Sequence, residues 1–282
     1  MPRPLLLVTG SSTGIGRATV IEAARSGWSV VASVLDLEDT DGLRAAIKEA
    51  RVTVDIRQLD VTDTDSIDTC LREIEEEHGS LDGLVNNAGV GHLGITEFDD
   101  SAQLRRVMEV NFFGTVALTR AALPQLRCSR GRIVTVSSVA GIIGQPFSEN
   151  YCASQFALEG FFETLAPVAA SVGVQVSLIE PGPVRSGFIH NTGIDVGAVV
   201  TRAGPYAPAL TAYLDRVTSS FASSYAQDPS EVAAVIVATL RDPEPPLRRQ
   251  TSEWAHGFVA RKLSDTDGST VASAIRGWIG SH

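Results

Sequence analysis

The chain has 282 residues, of which 44% are hydrophobic and 20% charged, and it carries a formal net charge of −10. That length holds one large domain with a sizeable core, and the acidic balance argues against nucleic acid or an anionic membrane as partner, since both favour basic surfaces. Cys70, Cys128 and Cys152 form no CxxC pair, so they support neither a zinc site nor a disulfide framework and point to a reducing cytoplasm.

The opening MPRPLLLVTG has too short an apolar run for a signal segment and leads straight into glycines. No apolar stretch approaches the roughly 20 residues that span a bilayer, so the chain reads as soluble. Leu5–Val8 reads as a buried strand, with a helix starting near Ile15. Further strands are expected at Val30–Val34, Val52–Leu59, Leu81–Val85, Arg132–Val136 and Val174–Ile179. Helical patterns fall between them, near Asp63–His78, Ser101–Leu126 and Tyr151–Ser171. Short β-branched runs alternating with helices predict a doubly wound parallel sheet, a single Rossmann-type α/β domain over residues 1–282. From Ser186 to Asp228 the pattern weakens into scattered Gly, Pro, Ser and Tyr. Its place beyond the carboxyl ends of the strands favours a substrate lid over residues 186–228, the alternative being a surface insertion.

TGSSTGIG sets Gly10, Gly14 and Gly16 directly after a strand and before a helix. Glycines there let the backbone turn tightly against a pyrophosphate, while the helix start offers N–H groups and positive potential. The spacing is GxxxGxG rather than GxGxxG. With NNAG at Asn86–Gly89, Asp60 in LDVTD, Asn111 in VNFFGT, Ser138 in VSSVAG, Tyr151 in YCASQ and PGPV at 181–184, the chain resembles the short-chain dehydrogenase/reductase family. YCASQFALEGFFE and PPLRRQTSEW look most like its 17β-hydroxysteroid and retinol dehydrogenase branch.

The resemblance implies a nicotinamide dinucleotide and a site for it. Its cofactor positions fall on Gly10, Ser12, Gly14, Ile15, Gly16, Asp36, Asp60, Val61, Asn87, Ala88, Gly89, Tyr151, Gln155, Pro181, Gly182, Val184 and Ser186. Asp60 would meet the adenine, Asn87 and Gly89 the middle of the cofactor, and Ser186 the nicotinamide carboxamide. Related dehydrogenases that prefer NADP tend to carry an arginine where this chain has Leu35. After the second strand the chain reads SVLDLEDTD, with Asp36, Glu38, Asp39 and Asp41 and no basic residue. A carboxylate suits a free ribose, so NAD is favoured, with Asp36 as ribose partner and NADP as the alternative. Arg17 is the nearby cation in the glycine segment.

In the family a tyrosine gives the proton, a serine holds the substrate oxygen and a lysine one turn later anchors the ribose. Tyr151 and Ser138 match, thirteen residues apart, and Asn111 would support a proton relay through water. The lysine position holds Gln155, four residues after Tyr151 and on the same helix face. A nearby cation lowers a phenol by roughly 1–3 units from about 10, and glutamine supplies none. Tyr151 should stay protonated near neutral pH, which predicts slow redox chemistry biased toward reduction. His92 reads as an exposed loop histidine first and an acid–base group second. His190 lies in the lid, Arg185 faces phosphate or solvent, Ser137 ends a strand, and Cys152 reads as a buried structural thiol.

Phe188, Ile189, Val199, Val200, Tyr206 and Leu210 suggest a bulky hydrophobic ketone or alcohol, steroid-, retinoid- or polyketide-like; helix burial explains some of them equally well. Three functions stay open: an NAD(P)-dependent oxidoreductase, a redox-neutral isomerase or dehydratase, and a silent dinucleotide-binding protein. Family members commonly dimerise or tetramerise through the helices bearing Asn111 and Tyr151. Phe156, Ala157, Leu158, Phe161 and Phe162 would line such an interface or fill the core.

Overall fold

A computed structural model describes residues 3–186 and 195–279. Its centre is a seven-stranded, wholly parallel sheet in the order β3-β2-β1-β4-β5-β6-β7. The strands are β1 (Leu5–Val8), β2 (Ser29–Val34), β3 (Asp55–Gln58), β4 (Gly83–Asn86), β5 (Arg132–Val136), β6 (Gln175–Glu180) and β7 (Arg248–Gln250). Helices α1 (Gly14–Arg25), α2 (Asp41–Ala50) and α9 (Pro229–Arg241) cover one face. Helices α3 (Thr64–His78), α5 (Thr115–Ser129) and α6 (Glu149–Ala170) cover the other.

Both faces are apolar, and the two-residue period of a strand divides them. Leu5 and Leu7 join Leu84, Ile133 and Leu178 beneath Ile74, Leu118, Leu158 and Phe162. Leu6 and Val8 join Val85, Val134 and Ile179 beneath Val20, Leu43 and Ile236. Each such side chain stabilises the fold by roughly 1.5–3 kcal/mol when fully buried.

Strand order reverses between β1 and β4, so the loops after these strands open a crevice at the carboxyl edge. Several sequence expectations are revised. The strand expected at Val52–Leu59 shortens to β3 because Arg51, in the left-handed region (φ 56°), caps α2 just before it. The single helix expected over Ser101–Leu126 is three segments: α4 (Ser101–Met108), a π-helical turn at Glu109–Gly114, and α5. Close packing explains part of this break, since a Cβ on Gly114 would lie 2.8 Å from the Val61 carbonyl. Where the sequence pattern weakens, the described part of 186–228 forms α7 (Val196–Arg202) and α8 (Ala207–Ala222). Leu210 and Tyr213 of α8 are buried with Ile95 and Phe147. Phe188, Ile189 and His190 lie outside the described residues.

The tail adds β7, α10 (Glu253–Leu263) and α11 (Ser269–Arg276). Arg248 of β7 fastens this tail to the sheet through two buried carboxylates. Its Nε lies 2.9 Å from Glu159 of α6 and 3.4 Å from Glu180 of β6, and it also pairs with Glu163. Burial lifts the Glu180 carboxyl to about 7, with Glu159 adding to the rise and Gln250 and Arg248 opposing it. An unfolded glutamate titrates near 4.3. Glu180 therefore contributes stability that is fully present below about 4.3 and is lost as pH rises through about 7. Glu180→Gln should match the native protein in thermal stability at pH 4 and exceed it by roughly 1–3 kcal/mol at pH 8. Equal or lower melting of the variant at pH 8 would contradict this.

Candidate active site

The glycine turn after β1 is built by backbone demands. Gly10 sits at φ +64°, and a Cβ on it would meet the Ala88 Cα at 2.8 Å. A Cβ on Gly16 would overlap the Gly10 carbonyl. Asn87 clamps the turn: its Nδ2 donates to the carbonyls of Thr9 (2.9 Å) and Gly10 (3.1 Å). The backbone N–H groups of Asn87 and Ala88 both donate to Thr9 Oγ1 at 2.9 Å. Ser11 ties the turn to β2 and β1, donating from N to Ser33 and from Oγ to Val8. Ser12, Gly14 and Ile15 are partly open to solvent at the start of α1. A Cβ on Gly14 would come no nearer than 3.5 Å, to Ser186, which brings the loop after β6 across to this turn.

Asp36, just past β2, is exposed, and its Oδ1 accepts from the Glu38 N–H at 2.8 Å. Arg17 lies against the start of α2, its Nη1 2.8 Å from the place of a Cβ on Gly42. Asp60 holds its own turn, accepting from the N–H (2.8 Å) and hydroxyl (2.7 Å) of Thr62. Val61 is buried against Gly114. Pro181 accepts from the Val139 N–H at 3.1 Å, and Gly182 packs under Trp254. Val184 bridges to Gln227. Arg185, which the sequence left facing phosphate or solvent, pairs with Asp228 at 2.9 Å.

The catalytic candidates converge. Ser138 caps the short turn Val139–Gly141, its Oγ accepting from the Ala140 N–H at 3.1 Å, and its hydroxyl is hydrogen-bonded to the Tyr151 phenol. Burial pushes that phenol up to about 12, with the Ser138 hydrogen bond pulling the other way. Gln155, one turn along α6, is 5% exposed, and its Oε1 is buried with no hydrogen-bond partner among the described residues. The two lysines of the chain stand elsewhere. Lys48 is on α2, and Lys262 of α10 holds its Nζ 4.2 Å from the centre of the Phe156 ring.

Asn111 is 1% exposed in the π-helical turn. Its side chain accepts from the Val90 N–H (2.8 Å) and donates to the Val90 carbonyl (2.9 Å) and to Ser154 Oγ (3.0 Å). Ser154 Oγ in turn donates to the Tyr151 carbonyl at 2.7 Å. Asn111 thus joins the loop after β4 to the helix that carries Tyr151. The sequence reading gave no role to Ser154 or Thr9, and took Asn86 only as the first residue of NNAG. Asn86 Nδ2 donates to Thr119 (3.0 Å) and Thr135 (3.1 Å), a buried strut between β4, α5 and β5. The available signal was a polar residue ending each apolar strand, and a serine three residues after the tyrosine.

Two other readings are settled. His92 is not an exposed loop residue: it is buried, with Nε2 3.1 Å from both Asp99 and Asn150. The loop folds inward around it because Gly94 N–H donates to the Phe147 carbonyl and Ile95 N–H to Asp99. Cys152 is the buried thiol expected, raised to about 11 by burial and accepting from the Gln145 N–H at 3.3 Å.

A nicotinamide dinucleotide fits these residues. The glycine cradle leaves room for a backbone-to-phosphate approach, and the unsatisfied Gln155 oxygen wants a hydroxyl donor of the kind a ribose carries. The short chain dehydrogenase family model matches residues 4–196. Retinol dehydrogenase 8 from Bos taurus is 38% identical over 272 residues, covering 94% of this chain and 86% of its own. The human 17-beta-hydroxysteroid dehydrogenase type 1 is 35% identical over 283 residues, covering 98% and 85%. The crystal structure of a single-residue variant of actinorhodin polyketide ketoreductase with NADPH superposes with a TM-score of 0.74 at 26% identity, covering 88% of this chain and 95% of that one. The chain belongs to the short-chain dehydrogenase/reductase family, in the retinol and 17β-hydroxysteroid dehydrogenase branch. It is an oxidoreductase of that family. Among the described residues no helix is long and apolar enough to cross a membrane.

Proposed function

We propose that this protein is an NAD(P)-dependent oxidoreductase for a bulky hydrophobic ketone or alcohol of steroid, retinoid or polyketide type. Hydride transfer is slow, and oxidation near neutral pH is the more impaired direction. The observation that carries the reading is the Tyr151–Ser138 hydroxyl pair, with a buried glutamine in place of a charge one turn on. A nicotinamide bound here would supply or take the hydride. Gly10, Ser12, Gly14, Ile15 and Gly16 cradle the pyrophosphate, and Asp60, Val61, Asn87, Ala88 and Gly89 line the adenine and the middle of the cofactor. Pro181, Gly182, Val184 and Ser186 flank the nicotinamide. Gln155 bonds the ribose hydroxyls through its free oxygen, and Asp36 meets the other ribose. The acidic run from Asp36 to Asp41 favours NAD, with NADP the alternative that Arg17 would serve.

Ser138 holds the substrate oxygen, and Tyr151 delivers its proton during reduction. A phenol at about 12 is fully protonated at pH 7, so the acid is present. In oxidation the same group must act as a base, and tyrosinate is scarce. The tyrosinate that develops during reduction also lacks a fixed cation to stabilise it. Asn111 steadies the helix and relays protons through water from beneath it.

The same reading takes residues 186–228, including α7 and α8, as a substrate lid. It assigns the protein to the cytoplasm, where its three free cysteines stay reduced. Assembly as a homodimer or homotetramer would use the faces where Phe113 and Phe156 are exposed, whereas Leu158 and Phe162 belong to the core. The test is calorimetric titration with NADH and NADPH, followed by ketone turnover in the native protein and in Gln155→Lys. Tighter binding of NADH and faster turnover in the variant are expected. Failure of both cofactors to bind overturns the reading, and binding without turnover in either protein favours a redox-neutral reaction.

A further inference from the structure

The loop at residues 181–186 runs from one end of the site to the other. The Pro181 carbonyl accepts at 3.1 Å from the N–H of Val139, in the short turn that Ser138 caps. At the other end Ser186 Cβ lies 3.5 Å from the place of a Cβ on Gly14, in the glycine turn. A ligand reaching from the hydroxyl pair to the glycine cradle is therefore bounded by this loop. Two residues brace the loop from outside. Gln227 pairs along it, donating from N to the Pro183 carbonyl (2.9 Å) and accepting from the Arg185 N–H (2.8 Å). The Gln227 side-chain amide is in turn hydrogen-bonded to Thr251. The second brace is Trp254, which the proposed reaction leaves unused.

Trp254 enters in the first turn of α10, where Ser252 caps the helix by accepting from the Ala255 N–H at 3.2 Å. Its indole stands against the bare side of Gly182. A Cβ on that glycine would lie 2.9 Å from the indole Cε3 and 3.0 Å from Cζ3. The ring is not free to turn aside. Tyr225 and Phe258 both lie parallel to it, with ring centres 5.0 Å and 5.1 Å away and planes within 2° and 8°. Phe258 is buried and stacks in turn on Trp278 at 5.8 Å. Rotating the indole would break both of its stacks, so crowding at Gly182 is passed to the loop rather than to the ring. Glycine at 182 is a demand of Trp254 as much as of any ligand.

We propose that Trp254 is a positioning residue: by bearing on Gly182 it sets how closely the 181–186 loop approaches the nicotinamide end of the cofactor. The fit can be lost in two opposite ways. A smaller side chain at 254 lets the loop fall back toward the tail, and a methyl on Gly182 drives it off the ring. Small displacements of a positioning element are costly, because its contacts depend on sub-ångström geometry. This inference rests on the proposed reading only for the ligand being a nicotinamide dinucleotide.

The experiment compares NADH with ADP-ribose, which keeps the adenosine, the pyrophosphate and the second ribose and lacks the nicotinamide. Both are titrated by calorimetry into the full chain, as the native protein, Trp254→Leu, Gly182→Ala, the two combined, and Trp254→Phe. The native chain should bind NADH about tenfold more tightly than ADP-ribose, the scale of one or two neutral hydrogen bonds. Trp254→Leu and Gly182→Ala should each cut that ratio to about threefold or less, with ADP-ribose affinity within about twofold of native. Trp254→Phe should retain most of the ratio. In the combined variant the methyl takes up room left by the indole, so the ratio should recover toward native rather than fall further. Should the leucine variant fail to fold, Trp254→Phe joined to Gly182→Ala carries the comparison, since the smaller ring also makes room for the methyl. A merely structural tryptophan would weaken NADH and ADP-ribose alike, and its effect would multiply with that of Gly182→Ala. Either result would overturn the proposal, as would a native ratio near one. Binding of neither ligand by the native chain would sink the dinucleotide reading and this inference with it. A ratio unchanged in every variant, with NADH bound, would sink this inference alone.

Discussion

Tyr151→Phe should lower ketone reduction by about 10²–10⁴-fold, the usual contribution of a positioned acid, while leaving NADH affinity within a few-fold of native. The substitution removes only the phenol oxygen. That oxygen is hydrogen-bonded to Ser138 and is the group placed to hand a proton to the substrate. The ring stays, so the packing of α6 against the Val139–Gly141 turn should survive. A variant that keeps more than a tenth of native turnover would show that the proton comes from elsewhere.

Gln155→Lys is expected to act in the opposite direction. An ammonium within about 4–6 Å lowers an acid by roughly 1–3 units. Each unit taken from a phenol at about 12 raises its ionised fraction at pH 8 tenfold. Alcohol oxidation at that pH should therefore rise by about 10-fold to 10³-fold. The lower part of that range is the better expectation, for two reasons. Position 155 is buried, so the new charge is partly desolvated. Glu159 lies one turn further along the same face, and helix side chains lean toward the N-terminus, so its carboxyl would compete for the lysine. Arg248 already engages Glu159 at 2.9 Å, which limits that competition. The equilibrium between ketone and alcohol is a property of the reactants and cannot shift. What the lysine changes is the pH at which the oxidising form of the enzyme becomes available.

The parallel sheet was legible because its strands are short apolar runs between helical repeats; Leu5–Val8 and Arg132–Val136 come out with the expected bounds. The glycine turn was legible because φ values such as that of Gly10 tolerate little else. The π-helical turn was not, because apolar periodicity runs through Ser101–Leu126 without interruption. Its cause is three-dimensional: Gly114 against Val61, and the Asn111 amide drawn to Val90. β7 was hidden for a related reason. RRQ carries no apolar signal, and its place at the sheet edge depends on Glu159 and Glu180, which meet Arg248 only after folding.

The candidate site divided along the same line. Tyr151, Ser138 and Gln155 could be found from spacing, since i and i+4 on one helix are neighbours whatever else the chain does. His92 could not, because its burial depends on Asp99 and Asn150, seven and 58 residues away in sequence. Read from the sequence, the residue looked like one more loop histidine.

The central claim is that Gln155 withholds a charge from Tyr151, and the pH dependence of alcohol oxidation tests it most directly. The rate should be followed from pH 6 to pH 11 in the native protein and in Gln155→Lys, with the same alcohol and saturating cofactor. The native rate should climb about tenfold per pH unit with no plateau below pH 11, as a phenol near 12 requires. The lysine variant should level off about 1–3 units earlier. Superimposable profiles, or a native plateau near pH 8, would contradict the account.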